Sequence, residues 1–115
     1  MAADSLLVFT TIGDATAARR LADTLVAARA VACVNILPPV TSVFRWEPDA
    51  GDAASAEVQA EDEVMLIMKT TTSAYPRLQQ ILRAEHPYEL PEIVAVPITQ
   101  GLPEFLQWIE SATRE

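Results

Sequence analysis

This chain has little of what most enzymes and nucleic-acid proteins display. Its 115 residues include one cysteine, one histidine and three glycines. A single cysteine, Cys33, excludes an intrachain disulfide, and a lone thiol suits a reducing compartment. Three glycines leave no glycine-rich loop with which to cradle a nucleotide. Basic residues are also scarce: eight Lys and Arg stand against sixteen Asp and Glu, a net charge of -8. That balance repels phosphate backbones and argues against nucleic acid as a partner. Long apolar runs are absent too. The first run, Leu6 to Phe9, is too short for a signal-peptide core or a membrane span, and Met1 to Ser5 carries no basic cluster. The expectation is a cytoplasmic protein without a membrane partner. Half the residues are hydrophobic, which suits one domain over residues 1–115. A domain of that size buries about two-thirds of its unfolded surface.

What the chain does have is concentrated in His86-Pro87-Tyr88-Glu89-Leu90-Pro91-Glu92. Each proline fixes its own φ and pushes the residue before it, His86 or Leu90, toward an extended conformation. The segment is therefore a stiff turn that displays an imidazole, a phenol and carboxylates. It leads into Ile93 to Ile98, which reads as a buried strand, with Pro97 marking an edge or an end.

Elsewhere, Leu6 to Thr11 reads as a central strand buried on both faces, followed by Gly13. Asp14 or Thr16 can cap a helix running to about Arg29, with Ala18, Leu21, Ala22, Leu25 and Val26 on its buried stripe. Val31 to Ile36 is extended, with Cys33 and Asn35 on one side and Val34 and Ile36 on the other. Pro38-Pro39 interrupts it, and Thr41 to Trp46 resumes, with Phe44 and Trp46 pointing one way. Residues 48–55 form a small polar loop. Residues 57–70 are extended, with Met65, Ile67 and Lys69 sharing a face. A second helix starts after Thr70 to Ser73, tolerates Pro76 in its first turn and stops before His86. A short terminal helix begins at Gly101-Leu102-Pro103.

This order is β-α-β-β-α-β plus a helix, the split α+β arrangement called ferredoxin-like, with two helices on one sheet face. The other face needs a cover. A ribbon carrying Phe44 and Trp46 beyond the sheet is a liability for a monomer, so an oligomer is expected.

Ala32-Cys33-Val34-Asn35, Trp46, Lys69-Thr70, His86-Pro87-Tyr88-Glu89 with Pro91-Glu92, and Phe105-Leu106-Gln107-Trp108-Ile109 together resemble the CutA divalent-cation tolerance proteins. The resemblance runs over nearly the whole chain. It implies a ferredoxin-like homotrimer with strands pairing between subunits, a cytoplasmic setting, a link to copper and other divalent metals, and architectural kinship with PII signalling trimers. One departure stands out. The family's short turn after its ribbon tryptophan is replaced here by a longer loop, and Glu57 stands where a lysine is expected.

From the resemblance, Cys33 and His86 are candidate copper ligands, and a carboxylate from Glu89 or Glu85 could complete a site; thiolate and imidazole suit copper or zinc far better than calcium. The competing reading of Cys33 is a small thiol buried in a strand. Trp46, Lys69, Tyr88 and Glu92 are candidate lining for an inter-subunit cleft that takes a small anionic ligand; the plainer reading is a Lys69–glutamate bridge and aromatic packing. No nucleophile motif accompanies His86, so a non-enzyme is expected. The readings are thus a metal-tolerance factor or, alternatively, a PII-like signalling module.

Overall fold

The computed structural model describes residues 5–46 and 53–115. Strand β1 (Ser5–Ile12) leads to helix α1 (Ala15–Ala27), then β2 (Cys33–Ile36) and β3 (Val40–Arg45). A 3-10 turn at Ala53–Ser55 precedes the long β4 (Val58–Thr71), followed by α2 (Tyr75–Glu85), β5 (Val94–Pro97) and α3 (Pro103–Ala112). The sheet order is β2-β4-β1-β5, with β3 also on β4, and every pairing is antiparallel. This is the expected ferredoxin-like topology. Most of the 48–55 loop lies outside the described residues.

Local chemistry explains the element ends. The Asp14 side chain caps α1 by accepting from the backbone N–H groups of Thr16 and Ala17, both at 3.2 Å. The helix stops at Ala27, two residues before the expected Arg29. Ala30 N–H returns to Leu25 O at 3.0 Å and Arg29 N–H to Val26 O at 3.1 Å, the Schellman pattern. Arg29 takes the left-handed position, φ 58, usually given to glycine. At the end of α2, Pro87 forces His86 into an extended conformation (φ -72, ψ 135), and the helix cannot continue.

The core lies between α1, α2 and one sheet face. Val8 and Ile12 of β1 and Leu66 and Met68 of β4 meet Leu21, Leu25, Leu78 and Leu82, each no more than 4% exposed. Val26 does not join them; it is 44% exposed beside Val34 and Ile36 at the sheet edge.

The opposite face is open and apolar. Cross-strand pairing places Cys33, Lys69, Leu7 and Val96 in one row, and Asn35, Ile67, Phe9 and Val94 in the next. Two expectations change here. The strand after the proline turn is at the edge that Pro97 indicated, but Val94 and Val96 are 49% and 43% exposed rather than buried. Leu7 and Phe9 on β1 are only half-buried, since α1 and α2 pack on the other face.

The bend at Pro38-Pro39 does more than interrupt. Ile36 pairs with Leu66 and Val40 with Glu63, so four steps on one strand match three on β4. One extra residue reverses the alternation. Val40, Ser42 and Phe44 therefore share the open face with Cys33 and Asn35, whereas uninterrupted alternation would turn them toward the helices. Trp46 follows just past the end of β3 and is half-buried, as Val40, Ser42 and Phe44 are. Among the described residues, β4 pairs only with β3 between Val58 and Glu63, and this two-stranded ribbon carries Phe44, with Trp46 just past its end.

Candidate functional site: a histidine-fastened acidic corner

At the end of β1 furthest from Lys69, the turn after α2 folds back against the sheet. The His86 side chain reaches Thr11, its Nε2 lying 2.9 Å from the Thr11 carbonyl oxygen. Its Nδ1 accepts the Tyr88 backbone N–H at 3.1 Å. An N–H donor on Nδ1 fixes the tautomer: Nε2 carries the proton and donates to Thr11. His86 is 7% exposed, and loss of water lowers its pKa, opposed by the Thr11 carbonyl and the Glu63 charge.

The fastened turn aims Tyr88 inward. Its hydroxyl donates to Glu63 Oε2 at 2.6 Å, and its ring stands 4.8 Å from the imidazole. Burial first, and the Glu63 hydrogen bond and charge next, raise the phenol's pKa above its ordinary value; Glu61 adds to this, and a Gly13 backbone contact opposes it. The fit at Gly13 is close, because a Cβ would lie 3.1 Å from the Tyr88 hydroxyl and press it aside by a few tenths of an ångström. Glu63 is 7% exposed. Glu92 is exposed over the residue as a whole, yet desolvation of its carboxyl raises the pKa, with the Glu63 charge adding to the rise.

The corner thus unites His86, Tyr88 and Glu92 from the proline turn with Glu63, which the sequence reading missed. Glu61-Asp62-Glu63 looks like a solvated charge run. Its signal lay in the alternation of β4, which puts Glu63 on the same side as Met65 and Ile67.

The other candidates lie apart within one chain. Cys33 pairs with Lys69 and Thr11 with Met65, four residues along β4 and on opposite sides of it. Strand spacings place Cys33 roughly 16 Å from the strand position that His86 grips. Lys69 Nζ donates to Asn35 Oδ1, six residues along β4 from Glu63. Trp46 lies at the far end of the ribbon, its carbonyl accepting from Gln59 Nε2. Glu89 is exposed. Among the described residues, no three His, Cys, Asp or Glu side chains converge to hold a metal ion. Cys33, His86 and Glu89 therefore do not fit a metal centre within a single chain.

A split β-α-β-β-α-β sheet with a stiff, histidine-fastened turn and a protruding aromatic ribbon defines a class: ferredoxin-like proteins with one open sheet face. Comparison with known proteins narrows it. Residues 6–112 match the family model described as CutA1 divalent ion tolerance protein. The divalent-cation tolerance protein CutA of Thermus thermophilus is 42% identical over 93% of this chain and 96% of its own. The chloroplastic protein CutA of Arabidopsis thaliana is 36% identical over 96% of this chain, which spans 56% of that longer protein. Among solved structures, CutA1 from Oryza sativa superposes with a TM-score of 0.88 at 34% identity, covering 99% of this chain and 97% of that one. The chain belongs to the CutA1 divalent ion tolerance family.

Proposed function

We propose that this protein serves divalent-cation tolerance as a cytoplasmic homotrimer that binds copper or another divalent ion and catalyses no reaction. The family match over residues 6–112 carries the cation reading. The PII-like alternative has no comparable support. A non-catalytic role is favoured by the single histidine, whose ring nitrogens are both engaged in hydrogen bonds. The single cysteine supports a reducing compartment, and no helix among the described residues is long and apolar enough to cross a membrane.

The open sheet face supports assembly. Leu7, Phe9, Met65, Ile67, Val94 and Val96 form an apolar layer on the face away from α1 and α2, and β5 leaves an edge free to pair. On this reading the ribbon carries Trp46 to a neighbour's proline turn, bringing it toward a cleft lined by Lys69, Tyr88 and Glu92. Cys33, half-exposed on the open face, and Glu89, exposed in the turn, are the accessible donors.

Two measurements test this reading. Sedimentation at micromolar concentration is expected to give a particle of three 12.5 kDa chains; a lone folded chain sinks the trimer. Copper and zinc titrations are expected to show weaker binding in Cys33→Ser and Glu89→Gln than in the wild type. Equal affinity in all three removes those donors.

A further inference from the structure

We propose that His86 is a positioning residue that fastens the proline turn and holds Tyr88 against Glu63, and that it is not a metal ligand. This deepens the cation reading by removing the most attractive ligand from it.

The geometry leaves the imidazole nothing to offer a metal. Coordination needs a ring nitrogen with a free lone pair. In the folded chain, Nε2 holds a proton directed at Thr11 O, and the Nδ1 lone pair is occupied by the Tyr88 N–H. Binding at Nδ1 would displace that N–H; binding at Nε2 would shed the proton and leave Thr11 O without its imidazole donor. The ring is also 7% exposed, and Cys33 lies at the other end of the sheet.

The same two bonds explain what the residue does. One ties the turn to the last part of β1, and the other orients the Tyr88 backbone. Two residues after the helix cap, the phenol turns toward Glu63. It fills the space that Gly13 leaves open and supplies the hydrogen bond to the buried Glu63 carboxylate. Without the fastener, Pro87 still bends the chain, but the Tyr88 backbone loses its anchor and only the hydroxyl bond to Glu63 draws the ring inward.

Nitrogen-detected NMR of the wild-type imidazole tests the ligand half of the proposal directly. We expect the pattern of a neutral ring protonated at Nε2, unchanged when excess Zn(II) is added. A zinc-dependent shift of either ring nitrogen at stoichiometric metal overturns the proposal. Should zinc bind nowhere, calorimetry shows it, and the cation reading fails while the His86 assignment stands. The positioning half is read from Tyr88 by ultraviolet titration of the two tyrosines. In the wild type one of them should resist ionisation. In His86→Ala it should titrate in the ordinary phenol range. In His86→Asn, whose amide oxygen can replace Nδ1 as the acceptor, resistance should largely return. An unchanged tyrosine titration in folded His86→Ala overturns the positioning role.

Discussion

The Tyr88 hydroxyl lies 2.6 Å from Glu63 Oε2, joining the proline turn to the base of the aromatic ribbon across 25 residues of sequence. A hydrogen bond from a phenol to a buried carboxylate is charge-assisted, and its loss leaves the acceptor short of a partner. Tyr88→Phe should therefore destabilise the protein by about 1–3 kcal/mol. Glu63→Gln should cost less, because an amide oxygen still accepts from Tyr88. Denaturant unfolding at one fixed protein concentration checks the order; equal losses would mean that the carboxylate charge is immaterial.

Acid should act on this corner with two opposing signs. His86 has a lowered pKa, so between the ordinary value of 6.5 and its folded value the unfolded chain binds a proton that the folded chain refuses. Stability falls with pH across that window. Glu92 is raised above its ordinary 4.5, so just above that value the folded chain takes the proton first, and stability is gained as pH falls. Urea midpoints measured from about pH 7.5 downward should drop for the wild type below 6.5. His86→Gln should lack that drop, and a parallel fall in both proteins would assign the loss to other groups.

Arg29 offers a gain rather than a loss. It holds φ 58 at the end of α1, where an L-residue is strained by about 1–2 kcal/mol and glycine is not. The unfolded-state entropy of glycine takes back about 0.5–1 kcal/mol. Arg29→Gly should thus stabilise by about 0.5–1 kcal/mol. The bond from Arg77 is to the Arg29 backbone carbonyl and survives the change. Thermal unfolding reads the result; a lower melting temperature would show that the Arg29 side chain contributes more than the strain costs.

Trp46 reports on assembly. It is half-buried within one chain. If a neighbour completes its burial, Trp46→Ala should cost about 3–5 kcal/mol and make the melting temperature more dependent on protein concentration. A loss near zero means that the ribbon face is free in solution.

Much of the fold was legible because its signals are local. Asp14, the Leu21–Leu25 stripe, Pro76 and the His86-Pro87 stop each act within a few residues of themselves, and the structure uses them as expected. The turn's importance was also readable from its prolines. What was not legible depends on counting across strands. Glu63 belongs to the corner only because β4 alternates from Lys69 without a break. Ile93 to Ile98 has the composition of a buried strand and Pro97 signalled its edge, but nothing within it tells that the face carrying Val94 and Val96 lies open. Cys33 and His86 were joined by the family resemblance and not by any spacing of their own. Neither residue carries information about the strand that lies between them.

The surplus residue at Pro38-Pro39 is a splice that the arm beyond it could lose. Deleting either proline alone leaves three steps against three, and ordinary alternation then keeps Val40, Ser42 and Phe44 on the face they occupy now. Grafts onto this scaffold can therefore shorten the elbow by one residue without turning the arm over.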